Sequence, residues 1–198
     1  MFPKIKFEYS MPLDSLFSQF LDKEHPEAKQ ALEVKEYIDK LQESWDKISD
    51  KVFREIEKTS GIKWKKEEFV CYVVKDSLFS ISKPLILKMS NNLENARLVI
   101  VHELVHRNLN SEKHNDYLRL LQAKLKDRLQ ITKRHVIVNL VLLRVVPKLF
   151  GKTCFKRMLK KDCKLRDYAE AWKLAFEINE LDGENIWKKI EEYAVELF

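Results

Sequence analysis

The chain is poor in the residues that make turns and staples: three glycines, five prolines and three cysteines in 198 residues. Glycine and proline punctuate loops, so their scarcity excludes a many-turned all-β fold and a long flexible linker, and it favours helix. Cys71, Cys154 and Cys163 are too few, and odd in number, for the disulfide framework of a small secreted domain. Cys154 and Cys163 could pair, but reduced, buried thiols are the expectation. No long apolar run is present either. The longest, within HVIVNLVLLRVV, is too short for a membrane span and is interrupted by Arg144. The opening MFPKIKFEYSMPLDS has no apolar core region and no small-residue cleavage site, so it does not read as a signal peptide. These absences together predict a soluble, cytoplasmic protein without membrane contact.

What is present suits one compact domain. Hydrophobic residues make up 45% of the chain, enough for a core, and charged residues 34%. The net charge of +6 could attract acidic surfaces or nucleic acid. Most Lys and Arg alternate with acids along the chain, however, which describes a solvated surface. The exception is residues 152–166, where Lys152, Lys156, Arg157, Lys160, Lys161, Lys164 and Arg166 crowd together near Phe155. There is no internal repeat and no low-complexity segment.

The apolar periodicity orders the elements. KIKFEY, residues 4–9, alternates as a strand. Val34, Ile38, Leu41, Trp45, Ile48, Val52 and Ile56 recur at steps of three and four, predicting a long helix over 27–58 that Gly61 ends. FVCYVV, residues 69–74, reads as a buried strand. PLILKM, residues 84–89, reads as an edge strand with Pro84 at its start. Ser90, Asn91 or Asn92 can then cap a helix with Glu94 in its first turn. That helix is apolar nearly all round over 98–105 except at His102 and Glu103. Further helices are expected at about 112–129, 132–146 (stopping at Pro147), 167–180 and 184–197.

The chemistry lies in HELVH, residues 102–106. On a helix, residues four apart share a face, so both imidazoles can bind one zinc ion. Glu103 is rotated by about 100° from His102. From there its carboxylate can reach a water on the metal and act as the general base without ligating.

A catalytic zinc needs a third protein ligand and an open position. Between Arg107 and Ala169 the only glutamate is Glu112, too near to serve as the distant helical Glu of thermolysin-like enzymes. Leu109 and Glu112 stand where the metzincin pattern requires Gly and His. The candidates left are His135, His114, Glu112, Asp116 and the distant Glu170. His135 is preferred because it sits in an otherwise apolar helix, where an unsatisfied imidazole is costly and a metal satisfies it. Asn139, one turn later, could orient that imidazole. His114, eight residues past His106, is the alternative third ligand.

At PLILKMSNNLENARLVIVHELVH the chain resembles the compact HExxH zinc metallopeptidases, the minigluzincin-like and SprT-like zincins, over about 62–146. The order of long helix, CYVV strand, zinc helix, HVIV helix and RDYAEAW also resembles an uncharacterised family of small prokaryotic zincin-like proteins. The resemblance implies an α+β fold: a mostly helical zincin-like domain over residues 1–198 whose small edge-stranded sheet packs on the HExxH helix. It implies a zinc-dependent peptidase with Zn2+ on His102 and His106 and with Glu103 as general base. It also implies a peptide or protein substrate lying antiparallel along the edge strand at Leu85, Ile86 and Leu87. Two other functions fit the residues. One is a non-catalytic module whose zinc is closed by a fourth ligand such as Glu112, Asp116, Tyr117 or Glu170. The other is a nucleic-acid-associated protein binding phosphates weakly through 152–166.

Overall fold

A computed structural model describes residues 2–23, 28–110, 115–183 and 185–195. The fold is α+β: mostly helical, with one three-stranded parallel sheet. The described elements are β1 (Lys4–Tyr9), α1 (Met11–Phe20), α2 (Ala28–Asp46), α3 (Ser49–Ser60), β2 (Glu68–Val74), β3 (Leu85–Lys88), α4 (Leu93–Leu109), α5 (Asn115–Lys124), α6 (Gln130–Asp162), α7 (Arg166–Glu180) and α8 (Ile186–Val195). The chain divides into two compact units, Met1–Arg54 with Trp64–Arg107, and Glu55–Lys63 with Asn108–Phe198.

The first unit holds the sheet, in the order β1-β2-β3. Lys4 pairs with Glu68 at one end of the β1–β2 ladder and Tyr9 with Val73 at the other; β3 pairs with β2 from Cys71–Leu85 to Val74–Lys88. Alternation in β1 buries Ile5 and Phe7, on which α2 lays Val34, Ile38, Leu41 and Trp45. The core continues as an aromatic chain. Phe7–Trp45, Trp45–Phe53, Phe53–Trp64 and Trp64–Phe69 all meet edge to face, at centroid distances of 5.1–6.4 Å. Gln42 of α2 closes the outer edge of β1, accepting from Phe7 N–H at 3.1 Å and donating to Ile5 C=O at 3.0 Å. The buried Asp14 in α1 holds the turn after β2: its Oδ1 accepts from the N–H groups of Lys75 and Asp76, each at 2.9 Å.

The β2–β3 connection has a consequence for the sheet edge. Parallel neighbours require the chain to travel back before the second strand begins. Here the return is short and passes along the outside of β3, where Ile81 forms an antiparallel bridge with Ile86.

The second unit is helical. α6 packs on α7, and α8 on α5 and α7. Val141 and Val145 of α6, Trp172 and Ile178 of α7 and Ile190 of α8 are fully or almost fully buried. A buried polar network joins the start of the unit to α8. Trp187 Nε1–H donates to Ser60 C=O at 2.6 Å, Ser60 Oγ–H to Asn108 Oδ1 at 2.7 Å, and Asn108 Nδ2 to Ile62 C=O at 3.1 Å.

Three boundaries differ from the periodicity. The stripe expected as one helix over 27–58 is two helices. Ile48 N–H turns back to Trp45 C=O at 2.9 Å, and the apolar spacing continues across the break. α1 is a helix where no helical pattern is legible; Ser10 Oγ caps it by accepting from Leu13 N–H. α6 continues past Pro147 and breaks instead at Gly151, whose φ of 83° and ψ of 161° leave the helical region and suit glycine. Among the described residues no helix is long and apolar enough to cross a membrane.

Candidate metal centre

HELVH lies in α4, in the first unit. Asn92 caps this helix: its Oδ1 accepts from Glu94 N–H at 2.7 Å and Asn95 N–H at 3.3 Å. Val101, Leu104 and Val105 are fully buried, whereas His102, Glu103, His106 and Arg107 are half-buried and form one polar stripe. The helix is therefore anchored by its apolar side and presents its chemistry on the other.

The two imidazoles converge. His102 Nε2 and His106 Nε2 are 3.1 Å apart, with ring centroids at 4.9 Å and planes inclined by 58°. Two nitrogens at zinc-bond length on a tetrahedral ion stand about 3.3 Å apart. The pair thus has the spacing a shared ion requires. Two neutral acceptor nitrogens repel at this distance unless a proton or a cation lies between them.

Glu103 departs furthest from ordinary carboxylate behaviour: burial pushes it up to about 7. Cys71 on β2, fully buried, is also pushed up, first by burial and then by the charge of Glu103. The carboxylate thus lies within electrostatic reach of the sheet's central strand. A cation on the neighbouring imidazoles would draw Glu103 back towards its ionised form. A carboxyl poised near neutrality can both take and return a proton.

Arg107 is engaged away from the imidazoles. Its guanidinium lies 4.1 Å from the Phe69 ring centroid, and Nη1 donates to Ser82 C=O at 3.3 Å. Leu85, Ile86 and Leu87 are buried at 2%, 3% and 1% exposure. Ile86 N–H donates to Ile81 C=O at 2.8 Å and its C=O accepts from Ile81 N–H at 2.9 Å. Lys88 N–H donates to Ser80 Oγ at 3.1 Å. The outer edge of β3 therefore carries a segment of the chain itself.

In the second unit, His135 lies in α6 at 8% exposure. Its Nδ1 stands 2.8 Å from Ile131 C=O. A carbonyl only accepts, so Nδ1 carries the proton, and the lone pair of the neutral ring is on Nε2. Burial pushes its pKa down, the Ile131 carbonyl opposes this, and the Arg134 charge adds to the lowering. Neutral imidazole is the ligating form. Tyr168 of α7 packs on the ring at a centroid distance of 4.5 Å. The backbone of Ile131, rather than Asn139, thus orients His135. The Asn139 amide is 1% exposed and neither of its polar atoms has a partner among the described residues. Tyr168 was not legible as a site residue, because in sequence it is one aromatic on an amphipathic helix.

Three of the other ligand candidates have partners of their own. Asp116 is exposed beside Arg119 at 3.9 Å, and Glu170 is paired with Arg128 at 2.9 Å. Tyr117 packs against Trp187, with centroids 5.5 Å apart. His114 and Glu112 lie outside the described residues. Cys71 is a buried thiol and Cys163 an exposed one, and Cys154 Sγ accepts from Arg157 Nη2 at 3.7 Å. Compared with known proteins, the chain matches no family model, no curated sequence and no solved structure.

Proposed function

We propose that the chain is a zinc-dependent peptidase, and the 3.1 Å convergence of His102 and His106 beside the half-buried Glu103 is the observation that carries the reading. His102 and His106 are ligands and His135 the third. Its protonated Nδ1 directs the Nε2 lone pair outward from the Ile131 contact, and the Tyr168 ring limits its rotation. When bound, zinc lowers the pKa of water and polarises a carbonyl oxygen. Glu103 takes a proton from water as the water oxygen bonds to the scissile carbon. It passes that proton to the leaving nitrogen as the C–N bond breaks. The resemblance around HELVH selects a peptide bond as the substrate, and three cysteines, too few for a secreted disulfide framework, favour a cytoplasmic setting.

The test replaces Glu103 with Gln, which keeps the shape and removes the base. Zinc content, measured by elemental analysis, should match the unmodified chain, while hydrolysis of a mixed peptide library should fall about a hundred-fold or more. Undiminished hydrolysis would remove Glu103 from the mechanism. Loss of zinc would make it a ligand.

A second reading concerns the part of α6 beyond Gly151. Cys154 and Phe155 are buried there, with Phe155 against Trp172 at 5.6 Å. Lys152, Lys156, Lys160, Arg157 and Lys161 are exposed and cover the opposite side of the helix, followed by exposed Lys164 and Arg166. Asp162, the acid of this stretch, is turned to Trp172, accepting its indole N–H at 3.2 Å. An uninterrupted cationic face of this kind fits the phosphates of a nucleic acid, as an auxiliary contact beside the peptidase chemistry.

A further inference from the structure

The edge of β3 is where a peptide substrate would add, as the strand that runs directly into the HELVH helix. That edge is already taken. Ile81 bridges Ile86 of β3 in the antiparallel sense, the direction a substrate strand would follow. Ile81 exchanges both backbone hydrogen bonds with Ile86, at 2.9 and 2.8 Å, and Ser80 Oγ accepts from Lys88 N–H at 3.1 Å. Those two N–H groups point the same way, because alternate residues of a strand present their backbone groups to the same edge. A third contact ties the segment to the metal helix: Ser82 C=O accepts from Arg107 Nη1, next in sequence to the proposed ligand His106.

The attachment is polar and local. Leu78 and Phe79, just before the segment, are 68% and 61% exposed, so apolar packing does not hold them down. Ser77 shapes the turn that leads into the segment, donating from Oγ to Phe79 C=O at 2.6 Å. A segment held by a few backbone bonds at a sheet edge, with exposed apolar residues on its flank, belongs to the least stable part of a fold. An incoming peptide can supply the same bonds to Ile86 and Lys88, so exchange of one strand for the other conserves hydrogen bonding.

We infer that residues 80–82 are an internal strap that occupies the substrate's place on β3 and competes with it, so that peptide binds only to the fraction of molecules in which the strap is lifted. This rests on the peptidase reading for what the edge serves, and it adds a regulatory step to that site. Anything that draws Leu78 and Phe79 away from β3 would raise the competent fraction, and apparent affinity follows that fraction.

Two variants weaken the strap without touching the metal helix. Ile81→Pro removes the N–H that donates to Ile86, and Ser80→Ala removes the oxygen that accepts from Lys88. Binding is read by fluorescence anisotropy of a labelled, unstructured short peptide on the zinc-loaded chain carrying Glu103→Gln, so that no turnover is needed. Each strap variant, placed in that background, should tighten binding about three-fold or more. In the catalytic background, KM should fall by a similar factor with kcat unchanged. Equal affinity with and without the strap substitutions, or no peptide binding by any variant, would overturn the inference. If Ile81→Pro does not fold, Ser80→Ala alone decides the matter. The peptidase reading fails separately: peptide then binds more tightly to the strap variants, yet no chain with Glu103 intact hydrolyses it.

Discussion

Asp162 shows how a single half-buried carboxyl shapes stability. Burial raises its pKa, while the Trp172 indole and the Lys161 charge pull it back. A carboxyl whose folded pKa lies above its unfolded value near 3.9 holds its proton more tightly in the folded state. The chain is therefore most stable with respect to this group below about pH 3.9 and loses that stability as pH rises through the folded pKa. Its place at the negative end of α6 acts in the same direction. Asp162→Asn keeps an oxygen for the Trp172 N–H and removes the charge. At pH 7 the variant should melt about 2–4 °C higher than the unmodified chain, and the two curves should meet near pH 3. A melting temperature at pH 7 that is unchanged or lower would show that solvation compensates the carboxylate.

At the residue scale the candidate site divides into a legible and an illegible part. His102, Glu103 and His106 are readable because a helix converts a spacing of four into a shared face, and their geometry needs only α4 to be helical. The tautomer of His135 was not readable in the same way. It is set by the Ile131 carbonyl, a backbone group with no signature in residue type. Asn139 looks in sequence like a partner for His135, yet the ring's proton goes to the backbone one turn earlier.

At the scale of elements, β1 followed from alternation and has the bounds that KIKFEY predicts. The helix break at 47–48 and the continuation of α6 through Pro147 did not follow. An apolar stripe repeats across a short turn, and a proline is tolerated where packing on both sides holds the helix. The last turns of α6 carry the basic face, and its role can be measured there. Neutralising Lys152, Lys156 and Lys160 to Gln should reduce the slope of log affinity against log salt, for a short single-stranded DNA, by about 2. No binding of the unmodified chain at low salt would dismiss the nucleic-acid reading and leave the face as solvated surface.

At the scale of the whole molecule, the proposed zinc would link metal binding to folding. Zinc that binds the folded chain and not the unfolded one stabilises by about 2.7 kcal/mol at a hundred times its Kd, which for a chain of this size raises the melting temperature by about 5–10 °C. A chelator should reverse the shift. His102→Ala should abolish it, since two remaining imidazoles give a weak and incomplete set. Protons compete for the same nitrogens, so the shift should shrink as pH falls below the histidine range near 6.5. A melting temperature indifferent to zinc in the unmodified chain would contradict the metal centre.

The positions of the three strands, the helix that carries HELVH and the pairing of its imidazoles were determined by the sequence alone, because each depends on local composition, periodicity and spacing. Tertiary structure decided what lies beside them. Burial moved Glu103 to about 7, parallel pairing of β2 and β3 sent the return chain along the outer edge of β3, and the Phe69 ring and Ser82 carbonyl claimed Arg107. Desolvation, strand order and backbone carbonyls belong to no single residue type, and they arise only once distant segments share one core.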